Sequence, residues 1–160
     1  MNKIKLLLLM IVVISGLAGV AEPYKITSTV PATQQVTKTY VYANPLDVVA
    51  RPNFYKNKNI RIKAKFDKFS TLGLDYPAAM RSSEKYISFL IQRPDITDHN
   101  IPLSELKIFM DRTEAEKHID LNSDDIVEFS GTVFSTALGD PWMDVDKFTV
   151  ISTKPKTEKE

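Results

Sequence analysis

The feature that most constrains this chain is a series of five short β-type segments, with one helical segment between the third and the fourth. Residues 59–70 show the strand pattern most clearly, because Ile60 and Ile62 alternate with Arg61 and Lys63, which is the period of a strand with one buried face. The other four segments cover residues 86–92, 106–110, 124–135 and 142–151. The pattern predicts one mainly β domain.

Two helical segments are predicted beside the strands. The first begins at Asn44, a good capping residue, has Pro45 in its first turn and ends at Pro52. The second covers residues 112–119, with Thr113 as the expected cap, acidic residues in the first turn and basic residues in the last. The first helix therefore precedes the five strands, and the second separates the third strand from the fourth.

The order strand, strand, strand, helix, strand, strand is that of the OB-fold, a five-stranded Greek-key barrel. We therefore expect an OB-fold-like Greek-key barrel with a helix between strands 3 and 4 and a short N-terminal helix. OB-folds bind their ligands on the face of strands 2 and 3 and on neighbouring loops.

Two sequence motifs carry a resemblance as well. Residues 47–62 contain a short helix and a turn, and residues 124–133 read Asp-Asp-Ile-Val-Glu-Phe-Ser-Gly-Thr-Val. The chain is similar to exported bacterial OB-fold proteins of the tRNA-anticodon-binding-like kind, in which a Pro-x-x-Tyr-x-Gly-Lys turn and a Gly-Asp-x-Val-x-Val-x-Gly strand recur. It departs from both motifs, with Asn57 and Asp124 where the family often has glycine. The resemblance implies an OB-fold and assigns no catalytic residue.

The first 21 residues have the layout of a secretory signal. Lys3 and Lys5 precede an apolar run over residues 6–14, and residues 19–21 are small enough for cleavage. The alternative is a retained membrane anchor, which needs about 20 apolar residues, whereas residues 15–16 interrupt this run. We expect export to the periplasm or the medium of a bacterium, with no stable membrane insertion after cleavage.

The rest of the chain divides into three parts. Residues 22–44 are rich in Thr, Ser, Gln, Val and Pro and predict a flexible leader, although residues 36–42 are β-prone and leave open an added edge strand. Residues 45–152 form the predicted OB-fold-like domain. Residues 153–160 contain no apolar side chain and predict a disordered tail.

Composition argues against several chemistries. The chain has no cysteine, which excludes disulfides and cysteine-ligated zinc. His99 and His118 have no second ligand at metal-binding spacing, and neither a Gly-x-Ser-x-Gly elbow nor a glycine-rich phosphate loop occurs. We therefore expect a non-enzymatic protein with no metal and no cofactor. With 21 basic and 20 acidic residues, net charge alone draws it to no polyanion.

Five residues are candidates for ligand binding. Arg61, Lys63 and Lys65 form a cationic row on the first predicted strand, suited to track phosphates, while Tyr86 and Trp142 could stack on bases. The cationic row and Trp142 each have a structural alternative. The cationic row could be a solvated strand face that protects a sheet edge, and Trp142 could be a core plug instead of a binding platform.

These observations predict an exported, non-enzymatic OB-fold binding module. Its ligand is left open among an anionic oligomer such as a nucleic acid, and a protein or peptide, including an envelope protein. The alternative is a structural or assembly module of the cell envelope that docks a protein partner through a sheet edge. An OB-fold alone does not choose between them.

Overall fold

The computed structural model describes residues 37–154. The strands are β1 Val41–Tyr42, β2 Asn59–Ser70, β3 Tyr86–Ile91, β4 Lys107–Asp111, β5 Ile126–Ser135 and β6 Trp142–Ser152, and the helices are α1 Pro45–Ala50, α2 Pro52–Tyr55 and α3 Arg112–Ala115, with 3-10 turns at Glu116–His118 and Ala137–Gly139. The predicted signal, most of the predicted leader and the end of the predicted tail lie outside the described residues.

Strands β2 to β6 close into a barrel. β2 pairs antiparallel with β3, and β3 pairs antiparallel with β4. β4 then pairs in parallel with β6, β6 pairs antiparallel with β5, and β5 returns antiparallel to β2. The helix α3 connects β4 to β5. This topology is that of an OB-fold, so the predicted mainly β Greek-key barrel is confirmed.

The long strand β2 makes closure possible because it pairs with two different neighbours. Its first part, from Asn59 to Lys65, lies against β5, and its last part, from Phe66 to Ser70, lies against β3. The register with β3 shifts between Phe66 and Lys68, and such an irregularity bends a strand. β2 therefore curves around the barrel.

The core follows the alternation that the sequence shows. Ile60, Ile62 and Phe66 of β2 are buried, while Lys63 and Lys65 between them are exposed. Three phenylalanines meet at the centre, where the Phe89 ring packs edge-on against Phe129 at 5.1 Å and Phe148 at 5.4 Å between centroids. Such edge-to-face pairs add to the free energy of apolar burial.

The two predicted helices are present with one correction. Asn44 caps α1, as expected, by accepting a hydrogen bond from the Leu46 backbone N–H at 2.9 Å. The cap of α3 is Asp111, whereas Thr113 was predicted, because the Asp111 carboxylate accepts the Thr113 backbone N–H at 2.8 Å. Hydrogen bonds from Thr113 also hold the pKa of Asp111 below its ordinary value.

The end of the predicted leader adds a short strand to the sheet. β1 pairs in parallel with β2, placing Val41 beside Ile60 and Tyr42 beside Arg61. The Ala43 backbone N–H continues the pairing by donating to the Arg61 carbonyl at 2.9 Å. The edge strand that the sequence left open is therefore formed over two residues.

The two positions where the motifs often carry glycine keep a glycine-like backbone. Asn57 has φ 62° and Asp124 has φ 78°, both in the left-handed region that favours glycine. Asparagine and aspartate are the side chains that enter this region most readily. The departures from the motifs thus preserve both turns.

Gly131 permits a close approach between β5 and β6. A Cβ at this position would lie 1.8 Å from the carbonyl oxygen of Asp144 and 2.9 Å from Cα of Val145. Because both obstacles are backbone atoms, β6 must move before any side chain fits. We expect Gly131→Ala to lower the free energy of unfolding by about 3 kcal/mol, the upper end of typical overpacking costs, in urea unfolding.

Gly139→Asn is the matched control. A Cβ there meets nothing within 4 Å, and its φ of +85° is one that asparagine tolerates. A Gly131→Ala protein as stable as this control would contradict the close approach.

Candidate functional site

Part of the face on which OB-folds bind ligands is covered by the chain itself. Residues 71–85 connect β2 to β3 and are called the covering loop below. They pack on Tyr86 at the start of β3, Phe109 of β4 and Trp142 at the start of β6. Beneath this loop Phe109 and Trp142 are buried with Ala79 as a second apolar cluster, separate from the barrel core. Ser88 and Leu90, on the outer side of β3, are buried as well.

The covering loop fits closely onto the aromatic rings. Gly73, with φ +82°, sits so near them that a Cβ would lie 3.1 Å from Phe109 and 3.3 Å from Trp142. The Tyr76 ring stacks on the indole of Trp142 with 5.8 Å between centroids. Since glycine adopts this φ without strain and has no Cβ to meet either ring, the loop packs closely against them.

Of the two alternatives predicted for Trp142, the structure shows the buried core plug and not the exposed binding platform. Its indole is 1% exposed and lies between Tyr76 and Phe109, 5.8 Å from each ring. Its Nε1–H donates to the Ala137 carbonyl at 2.8 Å. Both faces and the polar edge of the ring are therefore used within the protein.

Tyr86 lies under an arginine of the covering loop. The Arg81 guanidinium is 5.3 Å from the Tyr86 ring and 4.3 Å from the Phe134 ring. It also donates through Nε to Asp144 at 2.8 Å, and this hydrogen bond raises the pKa of Arg81 above its ordinary value. The ion pair anchors the loop to β6 and places a cation on the ring.

The three residues of the predicted cationic row differ in their contacts, since Arg61 is bound within the protein and the two lysines are not. Arg61 is engaged, since its Nε donates to Ser130 at 3.2 Å, its Nη1 lies 3.5 Å from Glu128, and its guanidinium covers the Tyr42 ring at 5.4 Å. Lys63 and Lys65 are exposed and form no ion pair with any residue between 37 and 154. These two ammonium groups are available to a ligand.

Both lysines line a groove of about 470 Å³, called the lysine groove below. One wall comes from the segment joining β1 to α1, and the other from the start of the loop between β3 and β4. Its lining residues are Tyr42, Ala43, Asn44, Pro45, Lys63, Ala64, Lys65, Gln92, Arg93, Pro94, Ile96, Thr97 and Asn100. Among these described residues are three cations and no carboxylate.

The third cation of the lysine groove is restrained. Arg93 contacts Asp95 at 3.2 Å and Glu105 at 2.8 Å, and neither carboxylate lines the groove. Hydrogen bonding to Asp95 raises the pKa of Arg93 above its ordinary value. Arg93 therefore holds the wall in place, and its charge is offset by these two carboxylates.

The sequence predicted Lys63 and Lys65 as ligand-binding residues but did not predict the residues that form the walls of the groove. Gln92 and Arg93 end a strand in sequence, and nothing in their spacing shows that they face β2. The length of the following loop was the available signal, because long loops often carry function. Gln92 is buried and donates through Nε2 to Asp124 at 2.9 Å, which fixes that wall against the turn before β5.

Comparisons with known proteins give likenesses among solved structures. No family model and no curated protein matches the chain. It is similar to asparaginyl-tRNA synthetase from Pyrococcus horikoshii, at 18% identity and TM-score 0.45 over 78% of this chain, and spans 24% of that chain. It is also similar to an OBody bound to hen egg-white lysozyme, at 11% identity and TM-score 0.44 over 75% of this chain and 100% of that one.

Two further properties concern residues 37–154 alone. No helix in this range has the length and hydropathy needed to cross a bilayer. No group of three or more His, Asp or Glu side chains in the same range is arranged to hold a metal ion. Asp144 pairs with Arg81 and Asp146 with Lys38, so these two carboxylates have cationic partners of their own.

The single tryptophan of the chain makes the covered face directly measurable. Because Trp142 is buried between two rings, we expect blue-shifted fluorescence that iodide does not quench until the protein unfolds. Trp142→Phe loses the hydrogen bond to Ala137 and leaves a cavity where the larger indole was buried, so it should destabilise the fold by about 2 kcal/mol or more. Emission at the wavelength of free tryptophan, quenched by iodide in the folded protein, would contradict the covered arrangement.

Proposed function

We propose that this protein is an exported, non-enzymatic OB-fold binding module whose ligand is anionic and binds in the lysine groove. One observation carries the proposal. In a chain with nearly equal numbers of acidic and basic residues, the described lining of this groove has no carboxylate and includes Lys63 and Lys65, which form no ion pair with any residue between 37 and 154. Such a local excess of one sign raises the concentration of oppositely charged ligands at a partly enclosed surface.

The electrostatics favour a ligand with two negative groups. Lys63 and Lys65 lie two residues apart on one strand, and their side chains therefore leave the same face of β2. Two unit charges about 4 Å apart attract by about 1 kcal/mol in bulk water and about 4 kcal/mol near a protein surface. A ligand that reaches both ammonium groups gains from each, and added salt weakens the attraction.

Export and the absence of catalysis rest on sequence reasoning. The basic, apolar and small-residue parts of residues 1–21 support export. The lack of a nucleophile motif or a phosphate-binding glycine loop in the chain supports a binding role. In this proposal the barrel holds the groove walls at a fixed separation and leaves the bound molecule chemically unchanged.

A second candidate function is docking of an envelope protein through a sheet edge. The observation that favours it is the short strand β1, which pairs with β2 on one side. Its Val41 and Tyr42 side chains are exposed. A strand with a free edge offers backbone groups to another chain.

The anion site is tested by calorimetric titration with tripolyphosphate. We expect binding at low salt that weakens as salt is added, and the double variant Lys63→Gln/Lys65→Gln should weaken it at least about tenfold, since a few kcal/mol of charge attraction is removed. Circular dichroism and urea unfolding should be unchanged, because both side chains are exposed.

The matched control is Lys56→Gln/Lys85→Gln, which removes the same charge from two exposed lysines outside the groove. If the two double variants lose the same affinity, net charge and not the groove binds the anion. That result, or an unchanged affinity of Lys63→Gln/Lys65→Gln for tripolyphosphate, would contradict the proposed site.

Export is tested by expressing the whole chain in a bacterium and fractionating the cells. We expect the protein outside the cytoplasm with Glu22 as its first residue, as read by intact mass, because cleavage follows the small residues before it. Ala21→Arg should block processing and leave the full mass. Uncleaved protein of the original sequence in the cytoplasm would show that residues 1–21 are not a signal.

A further inference from the structure

The floor of the lysine groove contains an unpaired piece of strand edge. The Arg61 carbonyl faces β1, since it accepts the Ala43 N–H at 2.9 Å, and the Lys65 carbonyl faces β3, since it accepts the Gln92 N–H at 2.9 Å. Backbone groups on alternate residues of a strand point to the same side. The N–H and C=O of Lys63, midway between them, therefore also point to this side.

On this side of β2, opposite to β5, no neighbouring strand reaches Lys63. β1 pairs with β2 at Ile60 and Arg61, and β3 begins its pairing at Phe66. Within residues 37–154 the gap between these two pairings is closed by no other strand, and the lysine groove lies over it. The groove therefore presents one backbone donor and one backbone acceptor together with two ammonium groups.

The geometry of this combination matches an extended peptide. A peptide that pairs with the Lys63 backbone has alternate side chains on the face from which the lysine side chains project. Acidic residues at alternate positions repeat at about twice 3.3 Å, the same interval that separates Lys63 from Lys65. Because the Lys65 carbonyl is already paired with Gln92, the peptide pairs with the Lys63 backbone alone. The flexible four-carbon stem of Lys65 then lets its ammonium group reach the second carboxylate.

The groove is less suited to nucleic acid bases. Binding of single strands depends on exposed aromatic rings for stacking, and the one aromatic residue in the described lining is Tyr42. Its hydroxyl donates to Glu128 at 2.7 Å and its ring lies under the Arg61 guanidinium. The aromatic rings on the outer face of β4 and β6 are covered. The apolar part of the lining, including Ala64 and Ile96, suits aliphatic side chains instead.

We infer that the lysine groove takes a short extended peptide with carboxylates at alternate positions, which adds to the free edge of β2 at Lys63. This inference rests on the proposed anion site and names its ligand class. Backbone pairing supplies register, and the lysines select acidic over neutral or basic peptides. The gap is only a few residues long, so the recognised segment is short.

The test uses a fluorescein-labelled peptide of alternating glutamate and valine, with binding read by fluorescence anisotropy. We expect the peptide to bind, Lys63→Gln/Lys65→Gln to weaken it at least about tenfold, and Lys56→Gln/Lys85→Gln to leave it within about twofold, as the charge argument requires. A valine–lysine peptide of the same length should not bind.

Two N-methylated peptides measure the contribution of backbone hydrogen bonds to the affinity. One carries methyl groups on the glutamate nitrogens and the other on the valine nitrogens, so their charge is equal. Because alternate N–H groups of a strand point to opposite sides, only one of the two should lose affinity. Equal affinity of both methylated peptides and the parent would overturn strand addition.

The outcomes separate this inference from the proposed function. Binding of tripolyphosphate without binding of the acidic peptide overturns the inference and leaves the anion site standing. Failure of both probes overturns both. If single-stranded oligo(dT) of the same charge binds more tightly than the peptide in a Lys63- and Lys65-dependent manner, the ligand class is nucleic acid and the peptide assignment is wrong.

Discussion

The packing of the covering loop on Trp142 and Phe109 determines where this barrel can bind anything. The indole has a ring on each face and a hydrogen bond at its edge, and each aromatic pair contributes about 0.5–1.5 kcal/mol beyond its buried area. Gly73 lets the loop lie flat on these rings, and Arg81 ties it to Asp144. The part of the usual OB-fold ligand surface that Phe109 and Trp142 form is therefore buried within the protein.

Because those rings are covered, the concave surface available to a ligand lies elsewhere, beside Lys63 and Lys65 of β2. There the end of the leader and the loop after β3 form walls around Lys63 and Lys65. The barrel contributes rigidity, since β2 is held by β5 along its first part and by β3 along its last. The charge and the free backbone edge come together between Arg61 and Phe66, where β2 no longer pairs with β1 and does not yet pair with β3.

The strands, their order and the barrel could be predicted from the sequence because each depends on local alternation and on turn residues. Asn57 and Asp124 show how far such reasoning reaches, since their φ angles preserve turns that the family motif makes with glycine. The site was harder to predict. Whether Arg61 is free or forms an ion pair depends on Glu128, which lies far along the sequence in the paired strand β5. Whether an outward Trp142 meets solvent depends on a loop whose path no periodicity describes.

The central claim is that ligands approach the lysine groove and not the covered face, and amide NMR mapping tests it most directly. A titration of residues 22–160 with tripolyphosphate should move the resonances of Ala43, Ala64 and Thr97, which line the groove. The Trp142 indole N–H should stay where it is. Shifts confined to Gly73 and Trp142, with the groove unmoved, would contradict the account.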